Sequence, residues 1–272
     1  MSLPETKDLP LMILCGGKGT RLREVTEVLP KPMTPIGEQP ILWHIMKSYA
    51  AFGVRRFILC LGYKQEEFID YFMNFHLRLS DATITLGHNP HIRFHDEIEE
   101  SDWEVTLART GLDSTTGLRI ARAARYLKDS DTAFFLTYGD GVSDIDIAAE
   151  LRSHQQAGKR LTIAAVHPPA RYGDMIIGPD ASILRFEEKG SVNTSFINGG
   201  FMIVEKSFIG DYVVPAGDVF FEQSPVRNAV RNGEVHAFRH DGFWQCMDTP
   251  REFQYLNDLW KARKAPWTKF WK

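Results

Sequence analysis

Short apolar runs alternate with amphipathic stretches along this chain. Four runs are apolar almost throughout, which is typical of strands that are covered on both faces of a sheet: 11–15, 57–61, 133–137 and 161–166. Apolar residues recur at helical spacing in three other stretches: 40–52, 65–75 and 145–157. Two strands joined through a helix of this length form a βαβ unit, which implies a parallel sheet.

The middle and the C-terminal part depart from this alternation. Residues 82–107 are more polar and alternate in character, so we expect a small antiparallel insertion or a long excursion there. The pattern predicts strands over 182–204, interrupted by a loop at 190–194, and a helix over 253–264. Because no Gly-, Ser- or Pro-rich linker divides the chain, we predict a single α/β domain over 1–272. Its core covers about 10–250, and a C-terminal helix and aromatic tail cover 251–272.

Composition and charge exclude several classes of protein. The 272 residues carry a formal net charge of −3, whereas a nucleic-acid binder needs excess cations to neutralise phosphates. No apolar run approaches the roughly 18–20 residues that span a bilayer, and Met1–Pro10 lacks the features of a signal peptide. The three cysteines show no metal or disulfide spacing, so we expect a reduced, cytoplasmic protein without nucleic-acid or membrane partners.

A glycine-rich turn follows the first strand. Gly16, Gly17 and Gly19 let the backbone approach a ligand, and its N–H groups can cradle phosphate oxygens. Between residues 16 and 32 there are four Lys or Arg and two Asp or Glu, a local balance of 4 − 2 = +2. The spacing matches neither the Walker pattern nor the dinucleotide-binding fingerprint. A tight turn with a solvated basic face remains the alternative.

Two aspartates are candidates for a metal site. Asp140 follows a buried strand, and ligands of open parallel sheets collect beyond the carboxyl ends of strands. Asp248 precedes Pro250 and a predicted helix. Each has a structural alternative: a turn aspartate for Asp140, and an N-cap for Asp248, with Thr249 as the competing cap.

Several motifs together resemble the sugar-phosphate nucleotidyltransferases over nearly the whole chain, about 11–271. The N-terminal ones are Gly-Gly-Lys-Gly-Thr-Arg-Leu at 16–22, Pro-Lys-Pro at 30–32 and Pro-Ile-Leu-Trp-His-Ile-Met at 40–46. The later ones are Thr-Tyr-Gly-Asp-Gly-Val-Ser-Asp at 137–144, Ile-Asn-Gly-Gly at 197–200, His-Asp-Gly-Phe-Trp-Gln at 240–245, Met-Asp-Thr at 247–249 and Ala-Pro-Trp at 265–267.

The resemblance implies a Rossmann-like, mostly parallel sheet flanked by helices, the nucleotide-diphospho-sugar transferase fold. It implies that CTP and a sugar 1-phosphate, with α-D-glucose 1-phosphate as the expected sugar, are joined into a CDP-sugar with release of pyrophosphate. The expected cofactor is Mg²⁺ held by Asp140 and Asp248, since Mg²⁺ favours carboxylates together with substrate phosphates. A homo-oligomer is also implied, with the C-terminal region as a candidate interface.

Residue roles follow from the same resemblance. Arg21, Lys31, Asp140 and Lys189 are the expected catalytic residues. The expected nucleotide contacts are Leu14, Gly16, Gly17, Gly19, Thr20, Arg21, Lys31, Thr116, Gly117 and Asp140. The expected sugar-phosphate contacts are Tyr138, Gly173, Glu188, Lys189, Asn198 and Gly199.

Each set has a structural alternative. Glu188 and Lys189 could form an exposed strand end, and Asn198-Gly199 could be a turn. The hydroxyls of residues 114–116 could simply stabilise a loop. The chain departs from the family at Gly190, where the family has Pro, and at Leu118, where it has a second Gly.

These departures leave another phosphorylated acceptor, or UTP or dTTP, as the nearer alternative. A non-catalytic module that binds a sugar nucleotide is the more distant one, because such a module would be expected to lose the phosphate-gripping cations or the metal carboxylates.

Overall fold

The computed structural model describes residues 3–17, 29–88, 90–168, 174–177, 179, 182–187 and 195–271. Seven strands in these ranges form the central sheet, in the order β14-β10-β13-β8-β1-β4-β7. They are β1 (Leu11–Leu14), β4 (Arg56–Leu61), β7 (Glu104–Arg109), β8 (Ala133–Tyr138), β10 (Leu161–Val166), β13 (Ile197–Glu205) and β14 (Val235–His240). β1 pairs in parallel with β4 and β8, whereas β13 runs antiparallel to β8 and β10.

The remaining strands form small antiparallel pairs. They are β2 (Pro35–Ile36) with β3 (Gln39–Pro40), β5 (Ala82–Thr85) with β6 (His91–Phe94), β9 (Gly141–Ser143) with β15 (Trp244–Cys246), and β11 (Asp174–Ile177) with β12 (Ile183–Glu187). The β9–β15 pair adjoins the end of β8 and therefore matters for the candidate site.

The helices lie on both faces of the sheet. They are α1 (Ile41–Ala50), α2 (Gln65–Met73), α3 (Phe75–Leu79), α4 (Thr116–Ala123), α5 (Ile147–Ala157), α6 (Ser224–Arg231) and α7 (Pro250–Lys261). Shorter helical turns cover Thr6–Asp8, Lys31–Met33, Ala124–Tyr126, Lys206–Phe208, Ile209–Val213, Val214–Ala216 and Pro266–Thr268. Each helix in the described ranges is too short or too polar to cross a membrane.

The predicted α/β architecture is confirmed, and one part of the expected insertion is wrong. Residues 82–94 do form an antiparallel hairpin, but residues 104–109 form β7, which pairs in parallel with β4 at the edge of the central sheet. Strands at the edge of a sheet often carry charged side chains, which discourage pairing with another chain. The polarity of Glu104, Thr106 and Arg109 therefore concealed its membership of the sheet.

Alternation along β1 shows how the sheet is buried on both faces. Leu11 and Ile13 belong to one apolar cluster, while Met12 and Leu14 belong to the cluster on the opposite face. The first cluster includes buried residues of α1, α5 and α7, and the second includes residues of α4 and α6. Burying an aliphatic side chain of this size contributes roughly 1.5–3 kcal/mol, so this strand is a rigid base for the loop at its carboxyl end.

The C-terminal tryptophans pack on the chain's own core around His44. Trp267 is almost fully buried, and its Nε1 donates to His44 Nδ1 at 3.2 Å. The other ring nitrogen of His44 lies 2.9 Å from the Ile36 carbonyl oxygen. Burial lowers the pKa of His44 to about 4, so the ring is neutral. Both ring nitrogens of His44 are thus engaged within the core, and the residue is a packed one.

A carboxyl group is buried in α5 without a hydrogen-bond partner. Glu150 is fully buried, and neither of its carboxyl oxygens bonds to any described residue. Burial raises the pKa of Glu150 to about 8, because the charged form loses its hydration. The folded protein therefore keeps a proton on Glu150 at pH values where the unfolded chain has released it.

We predict that stability falls as pH rises from about 5 to about 8, by roughly 1.4 kcal/mol per unit from this group, and levels off above pH 8. Glu150→Gln removes that slope, while Glu66→Gln, at an exposed position, keeps it. Urea denaturation of the three proteins across this range measures the effect. If the free energy of unfolding changes with pH in the same way for wild type and Glu150→Gln, the assignment of the slope to Glu150 is contradicted.

Candidate active site

A cleft of about 480 Å³ opens beyond the carboxyl ends of β1 and β8. This is the edge of a parallel sheet where ligands are expected to bind. The lining combines apolar, glycine and charged residues: Leu14, Cys15, Gly16, Gly17, Lys31, Pro32, Leu112, Asp113, Ser114, Thr116, Arg119, Tyr138, Gly139, Asp140, Phe220 and Asp248. The charged side chains on the floor determine what the cleft can bind.

Lys31 reaches the floor from a stiff helical turn. The turn Lys31–Met33 is flanked by Pro30 and contains Pro32, and proline fixes the backbone dihedral φ. The Met33 N–H donates to the Pro30 carbonyl at 2.8 Å and closes the turn. Lys31 is 9% exposed, although an isolated lysine is seldom buried.

Asp140 and Asp248 meet because two short strands pair. β9 begins at Gly141, directly after Asp140, and β15 ends at Cys246, two residues before Asp248; Gly141 and Cys246 are register partners. The Met247 N–H also donates to the Asp140 carbonyl at 2.8 Å. The antiparallel ladder therefore brings together two aspartates that are far apart in sequence.

The N-cap alternative for Asp248 is resolved in favour of Thr249. Thr249 caps α7, since its Oγ1 accepts from the Glu252 N–H at 3.3 Å and its own N–H donates to Glu252 Oε2 at 2.9 Å. This reciprocal pair forms a capping box. The Asp248 side chain lines the cleft instead.

Both carboxylates converge on the Lys31 ammonium. Lys31 Nζ donates to Asp140 Oδ2 at 2.6 Å and also donates to Asp248 Oδ1. Burial disfavours the ammonium, but Asp140 and Asp248 outweigh that effect and raise the pKa of Lys31 above its ordinary value. One positive and two negative charges leave a net charge of −1, so the cluster can accept a further cation.

This donor set fits a magnesium ion that is shared with a substrate. Mg²⁺ binds oxygen ligands and commonly uses one or two carboxylates together with substrate phosphates and water. Among the described residues, no group of three or more His, Cys, Asp or Glu side chains could hold a metal ion. The pair Asp140 and Asp248 therefore suits an ion completed by phosphate oxygens rather than a closed structural site.

Arg119 holds the first residue of the glycine turn through a hydrogen bond to the Gly16 carbonyl. This buried residue of α4 donates from Nη2 to the Gly16 carbonyl at 3.1 Å and from Nη1 to the carbonyls of Leu61 at 3.0 Å and Gly111 at 2.7 Å. Its guanidinium thus joins loops at the ends of β1, β4 and β7. Our sequence reasoning missed Arg119, although an arginine four residues before the buried Ala123 of an amphipathic helix was the available signal.

Hydroxyl groups on the predicted base side are engaged within the protein. Ser114 Oγ donates to the Thr110 carbonyl at 2.7 Å, Thr115 Oγ1 donates to the Val219 carbonyl at 2.6 Å, and Thr116 Oγ1 donates to Glu222 Oε2 at 3.0 Å. The alternative that these hydroxyls stabilise a loop therefore describes their observed contacts. Ser114 and Thr116 nevertheless line the cleft, so they face whatever occupies it.

Tyr138, Asn198 and Gly199 lie at the junction of β8 and β13. Asn198 and Gly199 sit inside β13, so they do not form the turn that Asn-Gly suggests. Asn198 Oδ1 accepts from the Gly200 N–H at 2.9 Å, and the Gly199 carbonyl accepts from Trp244 Nε1 at 2.7 Å. Tyr138 lines the cleft, whereas the other two support the strand behind it.

The structure brings together most of the predicted site residues that it describes. Those that line the cleft are Leu14, Gly16, Gly17, Lys31, Thr116, Tyr138, Asp140 and Asp248. Those that do not are Gly117, Asn198 and Gly199. The predictions for Gly19, Thr20, Arg21, Gly173, Glu188 and Lys189 lie outside the described residues. Besides Arg119, the cleft-lining residues that sequence reasoning missed as contacts include Asp113 and Phe220.

Known proteins share both the sequence and the fold of this chain. The nucleotidyl transferase family model matches residues 11–249. Glucose-1-phosphate cytidylyltransferase of Salmonella typhimurium is 45% identical over 261 residues, which cover 96% of this chain and 99% of that protein. The chain is a nucleotidyltransferase of this family. The probable glucose-1-phosphate cytidylyltransferase of Bacillus subtilis is 36% identical over 96% of this chain and 99% of its own length.

Solved structures agree with the family assignment. The nucleotidyltransferase matches HddC from Yersinia pseudotuberculosis with a TM-score of 0.66 and 25% identity, over 93% of this chain and 99% of that one. HddC complexed with GMP-PN matches with a TM-score of 0.62 over the same shares. The mostly parallel sheet with small antiparallel additions is therefore the nucleotidyltransferase fold.

We predict that Gly16→Ala destabilises this nucleotidyltransferase by about 1–3 kcal/mol, because overpacking a tight site displaces its neighbours. A Cβ at Gly16 would lie 2.1 Å from Arg119 Cζ, whereas a Cβ at Gly17 would meet no described atom within 4 Å. Gly17→Ala is the matched control and should change stability by less than about 0.5 kcal/mol. Equal effects of both variants in urea denaturation would show that Arg119 does not constrain the turn.

Proposed function

We propose that this enzyme joins CTP and a sugar 1-phosphate, with α-D-glucose 1-phosphate as the sugar, to form a CDP-sugar and pyrophosphate. The observation that carries the proposal is the convergence of Lys31, Asp140 and Asp248 in a cleft at the sheet edge. The names of the 45% and 36% identical relatives support CTP and glucose 1-phosphate as the substrates.

The charged residues would neutralise the triphosphate. Asp140 and Asp248 would hold Mg²⁺, which when bound supplies positive charge to the phosphate oxygens. Lys31 would then turn its ammonium from the carboxylates toward the phosphates, where Arg21 is expected to act with it. Fixed charges of this kind lower the barrier because they need no reorganisation during the reaction.

The sugar phosphate would attack the α-phosphorus directly. One of its phosphate oxygens forms the new P–O bond, the bond from the α-phosphorus to the bridging oxygen breaks, and pyrophosphate leaves with that electron pair. No covalent intermediate with the protein is needed, because binding both substrates side by side supplies the proximity. Lys189 is expected to align the incoming phosphate and Glu188 to accept hydrogen bonds from sugar hydroxyls.

The choice of CTP rests on the names of the relatives. The hydroxyls of residues 114–116 already bond within the protein, so they offer no base-specific contact in the geometry described. The second candidate is the same reaction with UTP or dTTP in place of CTP, or with another phosphorylated acceptor in place of glucose 1-phosphate. A non-catalytic module is disfavoured, since the cluster of Lys31 and two aspartates is retained. A cytoplasmic location and a homo-oligomer stay predictions.

The first test is turnover with Mg²⁺, glucose 1-phosphate and each of the four ribonucleoside triphosphates and dTTP. We expect pyrophosphate release and a CDP-sugar with CTP at the highest kcat/KM. A higher kcat/KM with another nucleotide would show that this nucleotide, and not CTP, is the preferred substrate. A folded protein that releases no pyrophosphate with glucose 1-phosphate or any other sugar phosphate would overturn the enzymatic proposal.

We predict that Asp140→Asn folds normally and loses about 10²–10³-fold in kcat, because it removes a carboxylate that would hold Mg²⁺ on the reacting phosphates. Asp129→Asn is the matched control, since Asp129 is exposed in the loop at the opposite end of β8. Steady-state assays at saturating Mg²⁺ measure both. Wild-type kcat in Asp140→Asn would remove Asp140 from the reacting centre.

A further inference from the structure

Glu222 connects the two walls of the cleft. Its Oε2 accepts from Thr116 Oγ1 at 3.0 Å, and Thr116 belongs to the wall where the nucleotide is expected. Its Oε1 accepts from the Tyr138 hydroxyl, and Tyr138 belongs to the wall where the sugar phosphate is expected. A single carboxylate therefore holds one hydroxyl from each side.

The core fixes the position of this carboxylate. The preceding residue, Phe221, is fully buried and packs against Phe208 with ring centroids 5.9 Å apart. The Phe221 N–H donates to Thr116 Oγ1 at 2.8 Å, so Thr116 is held by both the backbone and the Glu222 side chain. The Gly117 N–H donates to the Val219 carbonyl at 3.2 Å and extends this attachment. A displacement of Thr116, the first residue of α4, would therefore be transmitted to Glu222.

The other end of the connection is also constrained. The Tyr138 ring lies over Gly200, where a Cβ would come within 2.5 Å of Tyr138 Cδ2. Gly200 has φ +81°, a conformation that favours glycine. Two residues after Tyr138 the chain reaches Asp140, the floor of the cleft.

We propose that Glu222 is a positioning residue that couples the nucleotide wall to the acceptor wall, so that each substrate strengthens the binding of the other. The coupling rests on the proposed function, because it assigns CTP to one wall and the sugar phosphate to the other. A nucleotide that contacts Thr116 sets the position of Glu222, and hence of the Tyr138 hydroxyl, before the acceptor arrives, so that the acceptor meets a preorganised wall. By linkage, the acceptor has the same effect on the nucleotide.

The test measures this coupling by calorimetry, with α,β-methylene CTP and Mg²⁺ in the presence and absence of glucose 1-phosphate. In wild type we expect the analogue to bind at least about fivefold more tightly when glucose 1-phosphate is present. The ratio of the analogue affinities with and without glucose 1-phosphate should fall to within about twofold of unity in Glu222→Gln. The amide has one acceptor oxygen and cannot accept from both hydroxyls as the carboxylate does. The analogue affinity of this variant without glucose 1-phosphate should change less than about threefold, because no direct contact is lost.

Two further variants separate coupling from a merely structural role. Tyr138→Phe removes the same hydrogen bond from the other side, so Tyr138→Phe combined with Glu222→Gln should lose no more coupling than either variant does. Gln223→Ala, at the exposed neighbouring position, should keep the wild-type ratio. A structural role would weaken both binding events equally and preserve the ratio.

The outcomes distinguish the two proposals. Wild type that binds neither the analogue nor glucose 1-phosphate overturns the proposed function and the coupling with it. If wild type binds both the analogue and glucose 1-phosphate but neither strengthens the binding of the other, only the coupling proposal is overturned. The same conclusion follows if Glu222→Gln keeps the wild-type ratio of analogue affinities.

Discussion

The contact between the Lys31 ammonium and the carboxylates of Asp140 and Asp248 is the interaction on which the site depends. It joins the Pro-Lys-Pro turn, the end of β8 and the segment after β15 at one point of the sheet edge. Loss of Lys31 would leave two part-buried carboxylates facing each other without a counter-charge, which is costly. The net charge of −1 on these three side chains lets the cluster accept a further cation, which is the physical reason for proposing Mg²⁺ when a triphosphate binds.

The sheet supplies the geometry that this contact needs. β1 is buried on both faces, so Leu14 and the turn after it have a rigid base. Arg119 then fastens the Gly16 carbonyl to the loops after β4 and β7, which makes the glycine turn part of the scaffold. Glu222 performs a similar task between the two walls. Charged side chains around the cleft therefore hold neighbouring segments in place.

Much of the fold and part of the site could be predicted from the sequence. Continuous apolar runs identified β1, β4, β8 and β10, because strands covered on both faces have no polar side. β7 escaped detection because an edge strand has an exposed side. Asp140 was predictable from its place after a strand, but Asp248 needed the β9–β15 pairing and the Thr249 cap to be distinguished from an N-cap. Glu222 was missed because its partners are hydroxyls from distant segments, which leave no local motif. The only signal for Arg119 was the amphipathic pattern of α4, which does not reveal the carbonyls that it binds.

The most direct test of the central claim is a titration of Mn²⁺, monitored by EPR, in the presence of saturating α,β-methylene CTP. We expect one tightly bound ion per chain in wild type, and at least about tenfold weaker binding in Asp140→Asn and in Asp248→Asn, since each loses a ligand. Asp129→Asn should bind as wild type does. Unchanged Mn²⁺ affinity in both cleft variants would contradict the assignment of this carboxylate pair as the metal and triphosphate site.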